Sequence, residues 1–168
     1  RADEAYITAI ENAVTGGIGG GWRIVTEYTN DDSFEQDIRI RRINNPFAIW
    51  WDTNAKEFDK SDANWCFVSE WVSKEQFEAR YPKHTPTDWA IEYRSEMSRA
   101  WVNDDRVRLA EYWVKKPKKK TIGMIGGKVV EVTDALKDYP FEMTREVNSY
   151  EVCRYLVTGH DVLEGPEV

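Results

Sequence analysis

Cysteine, histidine and long apolar runs are all scarce in this sequence. The 168 residues include two cysteines and two histidines, and no stretch approaches the roughly 18 apolar residues that a membrane-spanning helix needs. No signal peptide pattern opens the chain. Cys66 and Cys153 lie in strand-like apolar patterns without metal-ligand neighbours, so we expect buried free thiols in a reducing compartment, with one disulfide as the alternative. We therefore expect a chain that is made in soluble, intracellular form and has no membrane partner.

An excess of positive charge is also missing. The net charge is −7, whereas proteins that wrap nucleic acid neutralise phosphates with a concentrated basic face. One dense basic run surrounds Pro117 and consists of Lys115, Lys116, Lys118, Lys119 and Lys120. Charge runs usually face water, so we interpret this run as a solvated hairpin shoulder and predict that it does not contact DNA.

Recognised catalytic signatures are lacking as well. His84 and His160 lie in turn-like contexts, and neither accompanies a nucleophile signature such as Gly-x-Ser-x-Gly. The glycines of "TGGIGGG" follow a predicted helix instead of preceding one, the reverse of a phosphate-binding loop, so we interpret them as a helix stop and a turn. The 30 acidic residues make chance carboxylate pairs inevitable, and none lies in a diagnostic motif. We predict that the chain is not an enzyme.

Aromatic and acidic residues are concentrated in "FAIWWDTNAKEFDKSDANWCFVSEW", residues 47–71. The oxygen-bearing side chains that could bind a hard cation there are Asp52, Asn54, Asp59 and Asp62. An EF-hand loop would need an oxygen ligand at position 56 and a glycine next, where Lys56 and Glu57 stand. We therefore predict no metal and no cofactor. A metal-dependent hydrolase centred on the three aspartates is the less favoured alternative.

The same stretch contains four tryptophans. Neighbouring strand positions point to opposite faces of a sheet, so Trp50 and Trp51 cannot both enter one core. One of them must cover a second layer, a neighbouring subunit or solvent. Rigid aromatics contribute most at the centres of interfaces, and we predict Trp50 or Trp51, Trp71 and Tyr112 as packing or subunit-contact positions. A free-standing carbohydrate- or peptide-binding module that uses exposed tryptophan strands is the main alternative.

Hydrophobic periodicity predicts an α+β fold, mostly antiparallel β-sheet with an N-terminal helix and one or two short helices. The first helix, 2–15, should pack through a small-residue face. The second, 73–80, begins with the Ser73–Gln76 capping box. A third lies within 82–103, where the residues at helical spacing are Trp89, Tyr93, Met97 and Trp101. Period-two patterns predict strands at 22–29, 36–43, 47–51, 64–72, 105–116, 146–158 and 161–164, and a glycine-turned hairpin at 121–132. The hairpin 22–43 should have one wet face.

Four stretches resemble the portal proteins of short-tailed double-stranded DNA bacteriophages. They are "GGIGGGWRIVTEY", "NNPFAIWWDTNAKEFDKSDANWCF", "VRLAEYWV" and "YLVTGHDVLEGPEV". The second is similar to the family's signature loop, in which an Asp closes a hydrophobic strand and Ala-Lys and Asp-Lys-Ser-Asp-Ala precede the next Trp. This sequence departs from the family at Thr53 and Asn54, where Pro-Asp is frequent, and so has one carboxylate fewer in the loop.

The resemblance implies a structural protein without catalytic residues or cofactors. It implies that residues 1–168 form a single wing-like α+β portion of a larger portal subunit. The sequence begins in a helical pattern at Arg1 and stops at "EGPEV", and this also leads us to expect a piece of a larger protein. Portal subunits form a ring, usually of twelve copies, at one capsid vertex; double-stranded DNA is packaged and ejected through it and the tail attaches to it. The implied partners are other portal subunits and coat protein, with terminase and tail adaptor bound by parts outside this chain. The implied locations are the virion and, during assembly, the host cytoplasm.

Overall fold

The computed structural model describes residues 2–16, 19–85 and 100–168. In chain order the elements are α1 (Ala2–Gly16), β1 (Trp22–Tyr28), β2 (Gln36–Arg42), β3 (Ile49–Trp51), β4 (Trp65–Ser73), α2 (Lys74–Arg80), β5 (Arg106–Ile125), β6 (Lys128–Glu131), β7 (Met143–Val157) and β8 (Val162–Glu167). The predicted α+β class, with mostly antiparallel sheet, is confirmed. The helix predicted within 82–103 falls largely on residues 86–99, which lie outside the described residues. No helix in the described ranges is both long and apolar enough to cross a membrane.

The strands form two antiparallel sheets. β1 and β2 pair with each other, and the other six strands form one sheet in the order β3-β4-β5-β7-β8, with β6 also paired to β5. β5 spans 20 residues and β7 spans 15, and their ladder runs from the pair Ala110–Val157 to the pair Met124–Met143. β4 and β6 therefore occupy the two ends of the same β5 edge, and β7 occupies the opposite edge.

Helix α2 packs on one face of the six-stranded sheet. It begins where the sequence predicts, because the Ser73 hydroxyl accepts from the Gln76 N–H and the Gln76 side chain accepts from the Ser73 N–H. Phe77, only 1% exposed, packs with the buried Val107, Leu109 and Leu156. Leu109 and Leu156 share the face of Glu111 because positions two apart, and directly paired residues, point the same way. We call this the core face of the sheet.

Helix α1 buries less of its apolar surface than its sequence suggests. Of the predicted small-residue face, Ala5 and Ala9 are buried, and a side chain at Gly20 would collide with the Ala9 carbonyl. Ala2, Tyr6, Ile10 and Ala13 are exposed instead. The helix therefore makes its close contact through two alanines. Tyr6 adds an edge-to-face contact with Trp22 of β1, with ring centroids 5.1 Å apart, and Ile10 stays exposed.

The β1–β2 hairpin has one exposed face, as expected, and the apolar side provides it. Its exposed large apolar residues are Trp22, Ile24, Tyr28 and Ile38. The polar side faces the core face of the larger sheet, since the Arg23 guanidinium donates two hydrogen bonds, 3.0 and 2.9 Å, to the Glu111 carboxylate of β5. The charge pair, instead of the aliphatic residues, decides which side of the hairpin is covered.

The lysine run lies inside β5 and leads into the β5–β6 hairpin. Lys116, Lys118 and Lys119 are exposed, as expected for a solvated run, but the run belongs to a long strand paired with β7. β4 pairs with β5 as far as Val114 and β6 pairs from Ile122 onward, which leaves residues 115–121 with one open edge. The Lys115 N–H donates to Asn64 at the β4 end of this edge, and by alternation the nitrogen of Pro117 faces the same edge. A proline removes no ladder hydrogen bond there, and lysines discourage further strand pairing.

The burial of the Phe77 ring leads to a prediction about the stability of the fold. We expect Phe77→Ala to lower the free energy of unfolding by about 3–5 kcal/mol, because it leaves a cavity between α2 and β5. Urea unfolding followed by circular dichroism measures the change. Phe34→Ala is the matched control, because Phe34 is 98% exposed and a surface substitution should stay within about 0.5 kcal/mol. An equal loss in both variants would contradict this placement of the core.

Candidate interaction surface

The loop between β3 and β4 is organised by a buried carboxylate. Asp52 is 3% exposed. Its oxygens accept from the Asn54 N–H (3.0 Å), the Asn64 N–H (3.0 Å) and the Asn64 side-chain amide (3.2 Å). These bonds, led by those from the two backbone groups, lower the pKa of Asp52. Asp52 therefore joins the two ends of the loop as an anion.

The other aspartates of the loop also accept backbone hydrogen bonds. The Asp62 carboxylate accepts from the N–H groups of Lys56 (2.6 Å) and Glu57 (3.3 Å), and that of Asp59 accepts from the Ser61 N–H (3.0 Å). These bonds lower the pKa of both carboxyls. Within the described residues no group of three or more His, Cys, Asp or Glu side chains could hold a metal ion. The carboxylates of the proposed hydrolase thus bind the loop's own backbone.

The loop tip carries a residue that the sequence reasoning missed. Phe58 is 95% exposed and stands between Glu57 and Asp59. Lys60, with φ of 58°, makes the turn that follows it. One sequence signal for the conformation of this loop was available. In an Asx turn the side chain of an aspartate accepts a hydrogen bond from the N–H two residues later, and this spacing occurs at 52–54 and 59–61. We call residues 53–63 the Phe58 loop.

The sequence-predicted aromatics lie on different faces of the sheet. Trp50 pairs with Phe67, Phe67 with Tyr112, and Tyr112 with Tyr155, which aligns four aromatics across four strands on the face opposite the core face. Phe67 and Tyr112 stack with ring centroids 4.6 Å apart. Trp51 is on the core-face side of β3 and is 44% exposed, whereas Trp50 is 51% exposed.

Trp71 joins Trp50 through an arginine. The Arg108 guanidinium carbon lies 4.6 Å from the Trp71 ring centroid and 5.7 Å from that of Trp50. Cation–π contacts of this kind hold both rings in place. Burial lowers the pKa of Arg108, and its buried Nε has no hydrogen-bond partner among the residues that the structure describes. The structure therefore brings Trp50, Trp71 and Tyr112 to one face and separates Trp51 from them; their role as subunit contacts stays a prediction.

A cleft on the core face lies between the β1–β2 hairpin and α2. It encloses about 460 Å³. Its apolar lining includes Phe47, Val68, Leu109 and Leu156, and its charged lining comprises Arg23, Arg42, Arg80, Arg108, Arg154, Glu70 and Glu111. Glu111 is shared by Arg23 at 2.9 Å and Arg154 at 3.5 Å. We call it the arginine cleft. It concentrates positive charge in a chain of net charge −7.

The two cysteines and His84 have structural surroundings in the fold. Both thiols are free, as predicted. Cys153 is buried, whereas Cys66 is only half-buried, and burial raises the pKa of the Cys66 thiol. His84 Nδ1 bonds the Asp161 carboxylate, which ties the segment after α2 to the turn before β8 and lowers the pKa of Asp161.

The chain matches the phage P22-like portal proteins over residues 1–168 and belongs to that family. It is similar to the portal protein of Acyrthosiphon pisum secondary endosymbiont phage 1, with 33% identity over 73% of this chain and 17% of that protein. The resemblance to phage portal proteins is thus confirmed. The chain spans about a sixth of the length of this curated relative.

The pKa of Asp52 leads to an acid-stability prediction. Because this pKa is lowered in the folded state, the carboxylate stabilises the fold at neutral pH and loses this effect as pH falls below about 4. We expect Asp52→Asn to reduce stability at pH 7 and to flatten its decline between pH 5 and 2, measured by urea unfolding. Asp31→Asn, in an exposed turn, should change neither. An unaltered pH profile in Asp52→Asn would refute the structural role.

The lysine run leads to a prediction about DNA. Each lysine has a partner: Lys118, Lys119 and Lys120 pair with Glu151 (2.8 Å), Glu146 (3.3 Å) and Glu131 (3.2 Å), Lys115 Nζ donates to Ser61 O, and Lys116 donates to the Tyr155 hydroxyl. The nearby carboxylates cancel charge that phosphate neutralisation would need.

We therefore expect no micromolar affinity for duplex DNA at physiological salt, measured by fluorescence anisotropy. The triple substitution Lys118→Ala, Lys119→Ala and Lys120→Ala should leave the titration unchanged. Micromolar binding that this triple variant abolishes would show the prediction to be wrong.

Proposed function

We propose that the chain is a structural part of the phage portal, the ring at one capsid vertex through which double-stranded DNA enters and leaves the head and to which the tail attaches. The match to the portal family over the whole chain is the observation that most directly supports this function. In this proposal residues 1–168 are a single wing-like α+β portion of a larger subunit, and the ring usually contains twelve copies.

The distribution of charge supports a peripheral position in that ring. The lysines of β5 pair with carboxylates and with carbonyl or hydroxyl oxygens, and the net charge is −7. A surface that binds DNA would need unpaired cations to neutralise phosphates, so we assign this portion a position outside any DNA-binding surface. In our proposal this portion contacts neighbouring portal subunits and the coat protein, while terminase and tail adaptor bind parts outside it.

The same geometry supports a non-enzymatic role. The loop aspartates accept hydrogen bonds from the backbone, and His84 bonds Asp161 at a turn. In our proposal the chain needs no cofactor and catalyses no reaction. The assembled protein belongs to the virion, at the capsid vertex, and is made and assembled in the host cytoplasm.

Electron microscopy of the full-length protein tests the assembly. We expect closed rings with a central channel, and native mass spectrometry of the same sample should give one dominant copy number. A protein that stays a single subunit at micromolar concentration, or that binds a sugar on its tryptophans in glycan-array and calorimetric assays, would contradict the proposal and favour a free-standing binding module.

Trp51 gives a mutational test of the predicted subunit contacts. Truncation of an aromatic at the centre of an interface commonly costs about 2 kcal/mol or more, so Trp51→Ala should raise the concentration for half-maximal ring assembly at least about tenfold. Analytical ultracentrifugation measures this midpoint. Tyr139→Ala is the matched control because Tyr139 is similarly exposed, 47% against 44%. If both variants assemble like the parent, Trp51 is not a contact residue.

A further inference from the structure

We propose that the Phe58 loop of one copy docks into the arginine cleft of a neighbouring copy. This inference rests on the proposed assembly of several copies into a ring. It names the two surfaces that meet: a rigid loop whose tip carries a phenylalanine between two carboxylates, and a cleft with an apolar floor and an arginine rim.

The Phe58 loop presents its aromatic side chain to solvent on a backbone held by hydrogen bonds. Phe58 is 95% exposed. The backbone around it is held by the carboxylates of Asp52, Asp59 and Asp62, which accept the loop's N–H groups. A loop that is already ordered loses little conformational entropy on binding. The loop therefore has the properties of a preorganised contact element.

The arginine cleft offers the complementary chemistry. Its apolar lining can cover an aromatic ring, and its volume of about 460 Å³ leaves room for one. Arg23 and Arg154 are engaged with Glu111. Arg42 and Arg80 also line the cleft, and within the described ranges neither forms an ion pair. The Arg80 guanidinium carbon also lies 5.5 Å from the Tyr81 ring centroid. A cation–π contact does not use the N–H donors, so both guanidinium groups can pair with Glu57 and Asp59 of an incoming loop.

Within one copy the two surfaces do not meet, because Phe58 is 95% exposed. The Phe58 loop adjoins the Trp65 end of β4, whereas the cleft uses Val68 to Trp71 from that strand and shares no residue with the loop. A contact between two different surfaces of identical subunits is heterologous, which is the kind of contact that closes into a ring. The second copy is therefore the occupant that the geometry and the charge complementarity favour.

A second exposed phenylalanine provides a matched comparison. Phe34 is 98% exposed in the turn between β1 and β2, where Asp31, Asp32 and Glu35 surround it. That turn is closed by backbone and hydroxyl hydrogen bonds, such as Ser33 N–H to Asn30 O at 3.3 Å, and not by carboxylates. Both tips carry a phenylalanine next to acidic residues. A difference in crosslinking or assembly between variants at 58 and at 34 therefore indicates specific docking of the Phe58 loop.

Photo-crosslinking in the full-length protein tests the contact. Phe58 is replaced by p-benzoylphenylalanine, which keeps the aromatic ring, and a second sample carries the same residue at position 34. We expect the sample labelled at 58 to give chain-to-chain dimers on irradiation of the assembled protein. Peptide mass spectrometry should map the captured site to cleft positions 23, 42–48, 68–71, 80, 108–111 or 154–156, and the sample labelled at 34 should not capture these positions.

Assembly measurements provide the second readout. Phe58→Ala should raise the midpoint concentration for assembly at least about tenfold, without a change in circular dichroism or melting temperature. Phe34→Ala should leave the midpoint unchanged.

Three results would overturn the inference. The first is crosslinking of position 58 to residues outside the cleft, whether in another copy, in the same copy or in coat protein. The second is the absence of any chain-to-chain crosslink in assembled rings. The third is an assembly midpoint that Phe58→Ala leaves unchanged. Electron microscopy of the same samples shows whether only the docking contact is wrong or the proposed ring assembly is wrong as well. Intact rings without the cleft crosslink reject only the docking contact, whereas a parent protein that forms no rings rejects both.

Discussion

The pairing of β5 with β7 is the constraint on which the other features depend. β4 and β6 attach to β5, β8 attaches to β7, and β3 attaches to β4. A slip of one residue in a strand pair moves every side chain to the opposite face. The register that pairs Glu111 with Leu156 and Tyr112 with Tyr155 therefore places the core and the arginine cleft on one face and the aromatic row on the other.

Charged residues in this chain mainly organise the backbone. Asp52 closes the loop between β3 and β4, Glu111 attaches the β1–β2 hairpin to the large sheet through Arg23, and the lysines occupy the open edge of β5. This use of charge explains why an acid-rich sequence contains convincing ligand sets for neither metals nor substrates in its described part. The carboxylates that resemble a site in the sequence already have backbone partners in the fold.

Local signals determined which parts of the fold were predictable. The capping box at Ser73 and the positive-φ turn at Gly126 and Gly127 depend on a few adjacent residues, and both were predicted. The continuation of β5 through Pro117 depends on where β4 ends and β6 begins, which no local pattern contains. The outward apolar side of the β1–β2 hairpin depends on Arg23 meeting Glu111, 88 positions away.

The candidate surface was only partly predictable for the same reason. Strand alternation alone places Trp50 and Trp51 on opposite faces, and Asx-turn spacing could have assigned the loop aspartates to the backbone. The exposure of Phe58 could not be read from the sequence, because it depends on three carboxylates that turn the loop outward together. Exposure alone does not indicate a contact, because single exposed apolar residues are common on folded proteins and Phe34 is as exposed as Phe58. What distinguishes Phe58 is that carboxylates fix the backbone of its loop, and the proposed docking depends on this difference.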